Sequence, residues 1–224
     1  MIKYYETLEW LYQHEYEDSL PEYSEITTLD YSGTAIEQIY NFNELPFSII
    51  KMSNLERLEA ASCTLLRIPS RIGYLKKLKY LDIRGNIIKK LPDSLCQCIN
   101  LEELNISENQ ISELPDNIGN LQNLQELYMT NTEISSLPES FGKLKKLKKL
   151  NMYNTFIDEF PKSFFKLENL EDLVIHFYKK DITDNLLELP NLKEIHLTYW
   201  QLEHYPKLRE KLESKGIEII TDID

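Results

Sequence analysis

No stretch of the 224 residues approaches the length of apolar sequence that crosses a bilayer, which excludes a helical membrane span. The first residues, with Lys3 and several early acids, hold no apolar run of the kind that opens a secretory leader. A cytoplasmic compartment is therefore expected. Cysteine is scarce: Cys63, Cys96 and Cys98 are an odd number, which fits reduced thiols better than a disulfide framework. Basic residues are also short, 25 Lys and Arg against 37 Asp and Glu, and the first 25 residues hold seven acids against one lysine. Binding to a phosphate backbone rests on basic surface, so no nucleic acid is expected as partner. The one basic run, Lys143 to Lys149, is split by Leu144 and Leu147 and reads as a solvated edge. Four histidines are scattered along the chain, and no catalytic signature appears.

What is present is a period. Pro46, Pro69, Pro92, Pro115, Pro138 and Pro161 stand 23 residues apart. A fixed period of a few tens of residues marks a solenoid, whose units are too small to bury their own apolar faces and must stack. Aligned on the prolines, the units open LxxLxL: Leu78, Leu81 and Ile83; Leu101, Leu104 and Ile106; Leu124, Leu127 and Met129; Leu147, Leu150 and Met152. The last three positions alternate apolar and polar, the period of a short strand with one buried and one open face. A second apolar group in each unit, such as Ile111, Leu114, Ile118 and Leu121, predicts an inward-facing turn or short helix. Proline suits the first helical position of that segment, since an amide there has no intrahelical acceptor. Asn86 and Asn109 share a slot with Cys63, Thr132 and Thr155, expected to be buried and to bond backbone groups where the strand turns away. Gly73, Gly119 and Gly142 share another, where the chain turns or packs closely. Cys98 falls where Leu75, Leu121 and Leu144 fall, so the Cys96–Cys98 pair reads as core rather than as a metal or redox site.

On these residues the chain resembles the leucine-rich repeat family, with LxxLxLxxNxIxxLPxxIGxLxx almost complete from Leu101 to Asn123 and a closest likeness to its intracellular 23-residue subclass. The flanking cysteine pairs that cap extracellular members are lacking. The resemblance implies an α/β fold: a right-handed solenoid, or horseshoe, with a parallel β-sheet on the concave face and short helices or turns on the convex face. It also implies a non-enzymatic binding module. The expected organisation is an N-terminal helical cap (1–25), a divergent first repeat with an insertion around residues 40–43 (26–54), five regular repeats (55–169), two irregular 22-residue repeats (170–214) and a capping strand (215–224), about nine strands in all. Pro206 to Lys215 reads as a last helix stopped by Gly216, and residues 179–185 as an irregular segment.

Outward strand positions of successive units line up about 4.8 Å apart and display columns of side chains. In the first half the middle column is acidic, Asp30, Glu59 and Asp82; the second half is aromatic, with Tyr128, Tyr153 and His176 at its centre. Exposed aromatics on a strand face give large contact area with few rotors to freeze. The expected partner surface therefore comprises Tyr80, Asp82, Glu103, Asn105, Glu126, Tyr128, Lys149, Asn151, Tyr153, Phe156, His176 and His196, binding another protein through a basic patch on that partner. Phe177 and Tyr199 either join this face or turn inward, while Tyr178 and Trp200 take the asparagine slot and turn inward. A metal or hydrolytic site at His176 and His196, with Asp172 and Glu194 nearby, is the remote alternative. Their slots are diagonal, no third histidine joins them and a flat sheet has no wall, so no metal, cofactor or catalytic residue is assigned. A monomeric adaptor or scaffold without membrane insertion is the favoured function, and an exported bacterial effector or surface-associated recognition protein the runner-up.

Overall fold

The computed structural model describes residues 25–32, 43–177 and 185–221. The expected N-terminal helix, most of the insertion at 40–43, the segment around 179–185 and the inward-turned Tyr178 lie outside the described residues.

Each LxxLxL segment forms a strand of three or four residues: β1 Thr28–Asp30, β2 Arg57–Glu59, β3 Tyr80–Asp82, β4 Glu103–Asn105, β5 Glu126–Tyr128, β6 Lys149–Met152, β7 Asp172–Ile175, β8 Glu194–His196 and β9 Glu218–Ile220. They pair in sequence order, all parallel, in one nine-stranded open sheet. The register follows the repeat: Leu58, Leu81, Leu104, Leu127, Leu150 and Leu173 stand opposite one another and are buried, as are Ile83, Ile106 and Met129 two residues on. The alternation in the sequence thus fixes which face is dry.

Behind the sheet the chain makes single 3-10 turns, not α-helices: Phe47–Lys51, Ile72–Tyr74, Asp93–Gln97, Ile118–Asn120, Glu139–Lys143 and Phe164–Lys166. The prolines precede these turns instead of occupying their first helical position. Pro46, Pro92 and Pro138 are N-caps with extended backbone, φ −60 to −73° and ψ 139 to 153°. Their carbonyls accept the amides of Ile49, Leu95 and Phe141 at 2.9–3.1 Å. Proline fixes φ but leaves ψ free, so the same residue type serves either position. With only three to five residues per turn, i to i+3 bonding is the closure that the length permits.

The left-handed slot is a feature the repeat consensus does not announce. Ser62, Gly85, Glu108 and Asn131, each 23 residues after the last, have φ of 55 to 66°, and Asn154 follows at 54°. The amides of Ser62, Gly85, Glu108 and Asn131 donate to the next coil, as Glu108 does to the carbonyl of Thr130 at 2.7 Å. The residue after this slot is the buried one. Cys63, Asn86, Asn109 and Thr132 are buried and Thr155 half-buried. At Gly73, Gly119 and Gly142 a Cβ would meet the backbone carbonyl oxygen of Ser94, Ser140 and Ser163 at 2.2, 2.1 and 2.1 Å, so these glycines mark close coil packing.

The C-terminal end departs from the repeat. Thr198 caps a short helix, α1, Tyr199–His204: its hydroxyl accepts from the Gln201 amide at 3.3 Å, and the Gln201 side chain accepts from the Thr198 amide at 2.9 Å. Gln201 is therefore the buried residue, and Trp200, expected to turn inward, is 39% exposed. A second helix, α2, Pro206–Ser214, follows, with Pro206 in its first turn and Gly216 at φ +73° beyond its end. No helix among the described residues is long and apolar enough to cross a membrane.

Candidate functional site

The open face of the sheet carries three columns. In chain order the first runs Thr28, Arg57, Tyr80, Glu103, Glu126, Lys149, Asp172, Glu194 and Glu218; the second Asp30, Glu59, Asp82, Asn105, Tyr128, Asn151, Val174, His196 and Ile220. The third stands two residues further on and includes Arg84, Tyr153 and His176. Eleven of the twelve residues expected to bind a partner stand in these columns. Phe156 is 67% exposed but lies four residues beyond β6, in the slot that holds Ile87 elsewhere, and so stands outside them. Phe177 is 1% exposed and packs 5.7 Å from the Tyr205 ring, whereas Tyr199, in α1, is 56% exposed.

The second column is held by local geometry. Asp30, Asp82, Asn105 and Asn151 each accept, through Oδ1, the amide two residues later at 2.8–3.1 Å. This bond fixes the side chain against the sheet. Arg57 bonds Glu59 at 2.6 Å and lies with its guanidinium 3.4 Å from the centre of the Tyr80 ring. The Tyr128 hydroxyl donates to Glu126, and Lys149 lies 3.5 Å from the same carboxylate. Tyr153 and His176 stack, ring centres 5.7 Å apart.

Acids dominate electrostatically. Among the described residues of the three columns, eight carboxylates stand with three basic side chains, Arg57, Arg84 and Lys149. Burial, then the neighbouring Glu126, raises the Glu103 carboxyl above its ordinary value, while burial and then the Glu126 hydrogen bond push the Tyr128 phenol far up. Burial raises Asp172, opposed by His196 and reinforced by Glu194; burial lowers His176. The face therefore holds negative charge at a cost that an incoming cation would relieve.

Asp82 gives a direct test. It is 2% exposed, and its carboxyl is raised by burial, against the Arg84 amide and guanidinium, with Glu59 adding repulsion and Arg57 attraction. A raised carboxyl binds its proton more tightly in the folded chain, so stability falls as pH rises from the unfolded value through the folded one. Asn105 shows that asparagine preserves the same backbone bond. Asp82→Asn is expected to stabilise the protein at neutral pH, by about 1.4 kcal/mol per pH unit of that window, with no gain below the usual aspartate range. Thermal unfolding at neutral and acid pH measures it, and an equal effect at both would contradict the electrostatic cause.

Of the two histidines, only His196 belongs to a convergent group of metal-type donors among the described residues. His176 belongs with Tyr153, and His196 converges with Asp172 and Glu194, whose ligand atoms all lie within 4.8 Å of one another. Cys63, Cys96 and Cys98 are free and buried, and burial pushes the Cys96 and Cys98 thiols up to about 12 and about 11. They are core residues with little thiolate character.

Among solved structures, the chain is similar to a leucine-rich repeat protein of Leptospira interrogans, with 31% identity, TM-score 0.60, 80% of this chain and 40% of that one covered. It is also similar in fold to an internalin, InlF, of Listeria monocytogenes, with 22% identity, TM-score 0.68 and coverage of 86% and 55%. A third is the plant peptide hormone receptor RGFR1 in complex with RGF2, with 24% identity, TM-score 0.59 and coverage of 80% and 30%. The chain thus spans 30% to 55% of the length of these proteins. No curated protein matches it. The leucine-rich repeat family model matches residues 77–98, and the leucine-rich repeat region model residues 94–220. That second match takes in β4 to β9 and more than half of the 224 residues, and with the nine-stranded parallel sheet it makes this chain a member of the leucine-rich repeat family.

Proposed function

We propose that this chain is a non-enzymatic adaptor or scaffold that binds a partner protein on the open face of its sheet, between Asp82 and His196, through a basic segment of that partner. The family and its structural neighbours support a protein-interaction module in general. The observation that carries the finer reading is the excess of carboxylates on a face of half-buried tyrosines, with Glu103, Asp82 and Asp172 all raised by burial. Lysine or arginine arriving between Glu103 and Glu126 would offset that repulsion. Tyr80, Tyr128 and Tyr153 supply the apolar contact that charge alone does not give.

The test is affinity capture from the source cell with three forms in parallel: wild type, Glu103→Gln/Glu126→Gln, and Tyr128→Ala/Tyr153→Ala. Each double variant is expected to bind the captured partner at least about tenfold more weakly, and the glutamine form to lose most of the salt dependence of association. Retention of every partner at unchanged affinity by both variants would refute the proposed face.

A further inference from the structure

The backbone register gathers three metal-type donors at one point on the sheet. Asp172 on β7 stands directly opposite Glu194 on β8, and His196 lies two residues beyond Glu194 on the same face. A carboxylate, a second carboxylate and an imidazole therefore project from two adjacent strands whose positions are set by the ladder, not by a loop. Their ligand atoms lie within 4.8 Å of one another, and His196 Nε2 is 3.5 Å from Asp172 Oδ1. Two donors on a tetrahedral shell of about 2.0–2.1 Å radius stand about 3.3 Å apart, so that pair already has the spacing a zinc ion needs.

A second observation points to a cation here. Asp172 Oδ1 is buried and accepts no hydrogen bond. The lysine opposite it on β6, Lys149, reaches the other way, to Glu126 at 3.5 Å. The group that faces this oxygen is the His196 imidazole, at 3.5 Å too long for a good hydrogen bond, and a metal ion at the centre of the cluster would bind both.

We propose that Asp172, Glu194 and His196 form a binding site for a divalent transition metal of the zinc type. The imidazole selects this class over calcium or magnesium, and three protein donors fall short of the six to eight oxygens calcium takes. The remaining coordination position faces away from the core, where water or a partner side chain completes the shell. His176, stacked on Tyr153, takes no part. The site lies at the His196 end of the face proposed above, but titration with zinc alone tests it whether or not that partner binds.

Isothermal titration with zinc chloride alone, in a non-chelating buffer near neutral pH, tests it. One ion per chain is expected, reversed by chelator, with zinc raising the thermal midpoint of the wild type. Asp172→Asn and His196→Ala should each weaken binding by at least about a hundredfold, the upper end of what loss of an outer-shell partner alone costs. His176→Ala and His204→Ala should bind as the wild type does. Melting without metal shows that each variant folds. Absence of zinc binding at micromolar concentrations in the folded wild type would overturn the proposal, as would binding that survives His196→Ala. Calcium binding as tight as zinc binding would overturn the metal class.

Discussion

Asn86→Leu is expected to cost about 3–5 kcal/mol and to disconnect the first coils from the rest of the array. Asn86 Oδ1 accepts the amides of Cys63 at 3.0 Å and Leu65 at 2.9 Å; Nδ2 donates to the carbonyls of Ala60 and Ile83 at 2.8 Å and of Arg84 at 3.2 Å. One side chain thus serves two amides of the preceding coil and carbonyls on both sides of the coil boundary. The Ile83 carbonyl also accepts from Asn109 Nδ2 and the Arg84 carbonyl from the Ser62 amide, each at 2.9 Å, so the groups that depend on Asn86 are the Cys63 and Leu65 amides and the Ala60 carbonyl. Leucine has the same branching, with bulkier methyl groups, and serves none of them. Each buried group left unpaired costs about 1–3 kcal/mol, and partial relaxation keeps the sum below the simple total. Because a solenoid's stability is close to a sum of unit and nearest-neighbour terms, the loss should be local. Hydrogen exchange should show the Cys63 and Leu65 amides losing protection while β6 and β7 keep theirs. Asn86→Thr should cost less, since Thr132 holds the same slot with a single bond, to the Met129 carbonyl at 2.9 Å. Uniform loss of protection along the whole sheet, or a cost under about 1 kcal/mol, would show that the ladder is not what joins the coils.

Why the ladder was legible and other features were not is a matter of chemistry at each slot. Leu58, Leu81, Leu104 and Leu127 repeat the same residue type because one environment, a closed apolar core, recurs at each coil, so the strand number and register follow from spacing alone. The left-handed slot is filled by Ser62, Gly85, Glu108, Asn131 and Asn154, of which only the glycine and asparagines announce a positive φ. Serine and glutamate are held there by the coils on either side, a constraint no local pattern records. Trp200 fails for the opposite reason: the repeat frame assigns it the buried slot, but the Thr198 and Gln201 capping box starts a helix that puts Gln201 inside instead. On the open face the columns are legible, because strand alternation sets them. Which members touch is not: His176 beside Tyr153 and His196 beside Asp172 depend on side-chain direction across strands, which spacing does not give.

Gly119→Ala is the second large expected loss, about 2–3 kcal/mol, for a cause that has nothing to do with backbone freedom. A Cβ at Gly119 would stand 2.1 Å from the carbonyl oxygen of Ser140, 2.9 Å from its carbonyl carbon and 3.0 Å from Lys143 Cβ. A flexible side chain would swing aside; a carbonyl inside the Glu139–Lys143 turn does not. Retreat of that turn would pull on Phe141, which is fully buried and lies 6.1 Å, ring to ring, from Phe164 of the following coil. The added methyl must therefore be accommodated by widening the gap between two coils on the side away from the sheet. Gly216→Ala is the control: a Cβ there meets nothing within 4 Å, and only its φ of +73° opposes alanine, a strain of about 1–2 kcal/mol. Urea unfolding of the two variants separates overpacking from strain, since only Gly119→Ala should also lower hydrogen-exchange protection around Ser140 and Phe141. A wedge between the coils that carry β4 and β5 also tilts Asn105 against Tyr128, which face each other in the ladder. The same substitution should thus weaken partner binding on the opposite side of the molecule without touching a residue of that face.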